Sequence, residues 1–179
     1  MKIVKALVVL IILTVVALAG FAWSGLYNVG ADDPHWGMTE SLLTIVRSRS
    51  IAVHSRDIKV PNLDNPQLIA MGAGHYSEMC TGCHLAPGMD ASELHVGLYP
   101  KPPVLYKSGI NDPVRAFWVI KHGIKMTAMP AWGTSHSDQA IWAVVAFLRK
   151  LPELSPEQYK SLTAHEHDPD DSDISINHP

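Results

Sequence analysis

Cys80-Thr81-Gly82-Cys83-His84 is the stretch of this sequence whose residue types and spacing could do chemistry of a definite kind. Two thiols three residues apart can reach the two vinyl groups of one porphyrin while the next side chain offers an imidazole to its iron, which is the arrangement for covalent haem attachment. Cys80 and Cys83 are also the two cysteines of the chain. A zinc site would need two further Cys or His ligands at matching spacing, and no second such pair exists. A bare redox dithiol would require neither His84 nor the pattern that follows it. The cofactor read from the motif is one haem c, with His84 as its proximal ligand.

A low-spin electron carrier needs a sixth ligand from the opposite side of the iron, and a methionine sulfur is the choice that raises the potential. Of seven methionines, Met129 stands out because it lies in Thr127-Ala128-Met129-Pro130-Ala131-Trp132-Gly133, a loop punctuated by proline and glycine between two helical stretches. Pro130 fixes the backbone beside it and biases Met129 away from the helical region, so the sulfur can be held on a stiff loop. Met126 is the alternative sulfur, and His122 and His136 are alternative nitrogens; the ordinary roles of such residues are packing and surface hydrogen bonding. Trp118, Trp132 and Tyr106 could line a haem or bind a propionate, and could equally be plain core. Lys121 and Lys125 could neutralise propionates or meet an acidic partner, with a solvated surface as the default.

Helices must position these groups. Gln67 to Met79 reads as one, with Gly72, Tyr76 and Cys80 recurring every four residues on a single face. Glycine inside a helix costs about 1 kcal/mol relative to alanine, and close approach of another helix is the usual gain. The partner expected is Asp138 to Leu151, where Ile141, Val144, Val145 and Leu148 fall at helical spacing; Ser135 with Asp138, or Ser137 alone, supplies the cap, and Pro152 closes the helix. Asp112-Pro113 opens a helix carrying Ala116, Phe117, Val119 and Ile120 and ending near Gly123. No stretch shows the sustained alternation of a strand, so the fold class is all-α.

Ahead of this region, Ala6 to Trp23 is apolar except for Thr14, which is about the length that spans a bilayer. Lys2 and Lys5 precede the run and Asp32 and Asp33 follow it, an asymmetry that leaves the N-terminus in the cytoplasm and exports the rest. Ala17-Leu18-Ala19 before Gly20 has the form a signal peptidase accepts, whereas the continuation through Phe21, Ala22 and Trp23 favours a retained anchor in the membrane lipid. From Met38 to Val53 a short amphipathic helix is expected, with Thr39 as its cap and Leu42, Leu43 and Val46 on one face; Arg47, Arg49 and Arg56 would lie near lipid phosphates or at a docking partner. A formal net charge of -3 and the absence of any lysine or arginine cluster exclude a nucleic-acid partner.

The order Gly72, Tyr76, Cys80, Cys83, His84, then Met129-Pro130, then a closing helix with Phe147 resembles class I monohaem cytochrome c over Gln67 to Leu151. The likeness is greatest to the small membrane-anchored forms of bacterial respiratory chains and cbb3-type oxidase subunits. It implies first and last helices that cross at Gly72 against Phe147, thioethers from Cys80 and Cys83, and iron held by His84 and Met129. It also implies a Pro103 carbonyl that accepts a hydrogen bond from His84, fixing the ring and making it a better donor.

Four segments are therefore expected: a membrane anchor or uncleaved signal over 1–30, a juxtamembrane linker over 31–66, the haem domain over 67–152, and a short helix with an acidic tail over 153–179. Ser155-Pro156-Glu157-Gln158 is a capping box for that helix, which should end near Leu162. The segment from His165 to Asp171 should be disordered; His165 and His167 could take up copper or zinc only weakly, for want of preformed geometry. The expected function is a periplasm-facing electron carrier, not an enzyme, on the bacterial inner membrane, serving redox proteins or a respiratory complex either as a free shuttle or as a fixed subunit. An open sixth iron position would make it a peroxidase or gas sensor instead, and a metal-binding tail a metal-resistance factor.

Overall fold

The computed structural model describes residues 1–164; the segment carrying His165 and His167 lies outside the described residues. Among the described residues there are helices and turns but no strand, as the all-α reading expects. The chain divides into two units, the first spanning Met1–His35.

That first unit holds α1, Lys2–Ser24, whose mean hydropathy of 2.8 makes it long and apolar enough to cross a membrane. The Thr14 hydroxyl donates to the Leu10 carbonyl at 2.9 Å, so the one polar side chain of the apolar run is satisfied within the helix. Gly25, with φ of 67°, takes the left-handed conformation that ends it.

The second unit begins at Trp36. It contains α2 (Gly37–His54), α3 (Pro66–Met79), α4 (Thr81–His84), α5 (Glu93–Gly97), α6 (Leu105–Ser108), α7 (Pro113–His122), α8 (Asp138–Lys150) and α9 (Pro156–Ala164). Most of these begin where their caps dictate. The Asn65 side chain accepts from the Gln67 amide ahead of α3, and the Asp112 carboxylate from the Val114 and Arg115 amides ahead of α7. Ser137, rather than Ser135, caps α8. The Gln158 side chain accepts from the Ser155 amide while the Ser155 hydroxyl accepts from the Gln158 amide, completing the capping box of α9. α2 differs from expectation: it starts at Gly37 with Trp36 in the cap position and no side-chain cap hydrogen bond, and Thr39 lies inside its first turn.

α8 is the centre of the packing, with Ile141 through Leu148 all buried. On one side Phe117 of α7 stacks on Trp142 at 4.1 Å and 16°. On the other, Tyr76 of α3 meets Phe147 with ring centroids 5.5 Å apart, and Tyr159 of α9 approaches the same ring at 6.3 Å. α3 crosses α8 at Gly72, where an added Cβ would lie 1.9 Å from the Ala143 carbonyl oxygen and 3.0 Å from the Phe147 Cβ. This contact, backbone against backbone, is the gain that offsets glycine in a helix.

α2 packs on α7. The Arg115 guanidinium donates to the Ser48 carbonyl at 3.2 Å, and the His54 ring sits 6.0 Å from that of Trp118. Met38, Leu42, Ile45 and Val46 of α2 remain exposed.

Candidate haem site

The Cys-x-x-Cys-His motif continues from α3 as one helical turn, with the His84 amide donating to the Cys80 carbonyl at 2.8 Å. The turn stops at Leu85, which has φ of 60°, a conformation costing a non-glycine residue about 1–3 kcal/mol. It is held there by Tyr76, whose buried hydroxyl donates to the Leu85 carbonyl at 2.6 Å. Tyr76→Phe keeps the ring and strands that carbonyl, so a loss of about 1–3 kcal/mol is expected in denaturant unfolding; an unchanged midpoint would show the bond to be idle.

A second brace comes from α5. The Ser92 hydroxyl donates to the Gly82 carbonyl, and buried His95 donates from Nδ1 to the Cys83 carbonyl at 2.8 Å. Both carbonyls belong to the motif.

Cys80, Cys83, His84, Pro103 and Met129 all border one cavity of about 430 Å³, a size within the usual range for small-molecule and cofactor sites. Its wall is otherwise mainly apolar, including Leu98, Ile120, Ile124, Trp132 and Leu148. The His84 Nδ1 lies 2.9 Å from the Pro103 carbonyl oxygen. A carbonyl can only accept, so Nδ1 carries the proton and Nε2 keeps a lone pair. Burial pushes the His84 imidazole below its ordinary range, with the Pro103 bond working in the opposite direction. Burial first, and then Cys83, pushes the Cys80 thiol up to about 12, so it stays protonated at neutral pH.

Met129 sits on a loop fastened by main-chain contacts. The Ile124 amide donates to the Met129 carbonyl at 3.2 Å, and the Met129 amide to the Thr127 hydroxyl at 3.1 Å. Gly123, with φ of 64°, would carry a Cβ 2.7 Å from the Met129 carbonyl oxygen, and Gly133 one 2.8 Å from the Lys121 carbonyl oxygen; neither position admits a side chain. Met126 is 93% exposed and absent from the cavity wall. Met79 does touch the cavity but immediately precedes Cys80 in the chain.

Of the aromatic candidates, Trp132 borders the cavity. Trp118 instead contacts the rings of His54 and His122, and Tyr106 packs into the α8 cluster. His136 is away from this cavity's wall: it lies edge-on to His75, with centroids 5.7 Å apart, and bonds the Ser135 hydroxyl. Burial, and then the charge of His136, push the His75 imidazole down. Lys121 pairs with Asp138 at 2.6 Å, and Lys125 is also absent from the wall. The cations that do border the cavity are Arg47 and Lys101. Ser92 and His95 were not legible as site residues; Ser92 ahead of Glu93 is a helix-cap signal that could have marked α5.

An all-helical unit whose apolar cavity is edged by two thiols, an imidazole with a free Nε2 and a thioether fits a haem, and defines a cytochrome c-type domain. In the comparisons, residues 67–148 match the model of the family described as cytochrome c oxidase, cbb3-type, subunit III. The matched segment is accordingly a monohaem cytochrome c-like domain, a type of domain that supports haem-based electron transfer. No curated protein matches the chain.

Proposed function

We propose that the protein is a membrane-tethered, periplasm-facing carrier of single electrons with one covalently attached haem c. The observation that carries this reading is that Cys80, Cys83, His84 and Met129 border a single apolar cavity. Cys80 and Cys83 would hold the haem through two thioethers, each the net addition of S–H across a vinyl group, so attachment would need no net oxidant or reductant. His84 would offer Nε2 to the iron, and the Pro103 carbonyl, accepting from Nδ1, holds the ring in place and would strengthen it as a donor. Met129 would offer its sulfur as the second iron ligand, and the apolar wall would keep water away. A haem held there would supply reversible one-electron chemistry at its iron, with no substrate bond made or broken.

The helix α1 serves as a retained single-pass anchor in the bacterial inner membrane, oriented by Lys2 and Lys5 before it and Asp32 and Asp33 after it. A tether raises the effective concentration of the haem domain at neighbouring respiratory complexes, which are its redox partners.

The test is Met129→Leu in full-length holoprotein. Covalent haem should remain, while the sulfur-to-iron band of the oxidised spectrum disappears and the midpoint potential falls. Met126→Leu should change neither. If the band survives Met129→Leu and vanishes in Met126→Leu, the ligand assignment is overturned.

A further inference from the structure

Arg47 has no role in the site as described so far. It belongs to α2, which precedes the family-matched segment 67–148 by more than a full turn of chain, and its neighbours in sequence suggest a lipid-facing stripe. Yet Arg47 is half-buried and borders the cavity, whereas Arg49, two residues on, is exposed and does not. Among the described residues the Arg47 side chain has no hydrogen bond and no ion pair. A guanidinium partly withdrawn from water without a partner is costly, and burial of this kind calls for an anion. The cavity wall offers none, since its charged residues are Arg47 and Lys101 and neither aspartate nor glutamate borders it.

We infer that Arg47 is a haem-binding residue that pairs with a propionate carboxylate, making α2 a part of the haem site. The inference rests on the haem reading above. A haem brings two carboxylates into a cavity that holds two cations, and a guanidinium suits a carboxylate because its planar fork can donate two parallel hydrogen bonds. Lys101 is left for the second carboxylate. The packing of α2 on α7, through the Arg115 to Ser48 bond and the His54 and Trp118 rings, positions Arg47. Functionally, the cation disfavours the more positive oxidised haem, so Arg47 holds the potential up.

The test uses full-length holoprotein carrying Arg47→Gln, Arg47→Lys or Arg49→Gln, read by midpoint potential and by the carboxylate region of the redox infrared difference spectrum. Arg47→Gln should lower the potential and displace the carboxylate bands. Arg47→Lys should restore most of the potential while the bands stay displaced, because the charge returns without the fork. Arg49→Gln should match the parent in both. Parent-like bands and potential in Arg47→Gln overturn the inference, as does an equal shift from Arg49→Gln, which would mark a long-range charge effect. Should Arg47→Gln fail to accumulate, Arg47→Lys decides alone: displaced bands support the pairing and unmoved bands overturn it. In each of these outcomes covalent haem is present, whereas colourless parent protein would instead sink the haem reading itself.

Discussion

Protein carrying Cys80→Ala and Cys83→Ala together, made in a host that attaches haem, is expected to lose all haem that survives denaturation, while the parent retains its own in full. The two thiols border the same cavity as His84 and Met129, and no other cysteine exists to replace them. Denaturing electrophoresis with haem staining reads the outcome. A single substitution should keep one thioether and give the red-shifted band of a retained vinyl group. Loss of the cofactor should also cost stability, because a ligand that binds only the folded state stabilises it and the apolar wall would face about 430 Å³ of unfilled space. A doubly substituted protein that still stained would contradict the attachment reading.

The second large effect is expected from Gly72→Ala. The new Cβ would meet the Ala143 carbonyl oxygen at 1.9 Å and its carbon at 2.4 Å. Both are backbone atoms, so no rotamer change relieves the clash; α3 and α8 must separate, loosening Tyr76 from Phe147. Overpacking of this kind costs about 1–3 kcal/mol and occasionally more, against a return of about 1 kcal/mol from helix propensity. A net loss of about 1–2 kcal/mol is expected in denaturant unfolding of the holoprotein, because a clash with backbone falls at the upper end of that range. Gly37→Ala is the control, because a Cβ there meets nothing within 4 Å, and its unfolding midpoint should stay near the parent's. An unchanged midpoint for Gly72→Ala would mean that the two helices are not held in contact at this point.

The same residues explain how much of the fold could be read in advance. Gly72 was legible because it breaks a local preference: a glycine on the buried face of an otherwise good helix needs a tertiary reason, and Phe147 with its small neighbours lay on a second helix of matching pattern. Asp112-Pro113 and Ser155 with Gln158 were legible because capping is local chemistry. Thr39 was misleading for the same reason, since a residue fit to cap does so only where the chain enters the helix. The brace of Ser92 and His95 was hidden because α5 has five residues, too few for any periodicity to register. Lys121 and Arg47 exchanged their expected surroundings: Lys121 spends its charge on Asp138, and Arg47 leaves the lipid-facing stripe for the cavity. Neither could be seen without knowing which helix lies beside which.

The methionine loop has a consequence for speed. Gly123 and Gly133 let main chain rest directly on main chain at both ends of the loop, so its geometry is set by main-chain packing and hydrogen bonds rather than by side chains free to rotate. Were Met129 to ligate a haem iron, its sulfur would be offered from a loop with little freedom to shift, and little motion of that loop would have to precede each electron hop. Bulk at either glycine would therefore slow exchange between identical molecules even where the equilibrium between oxidised and reduced forms stayed the same.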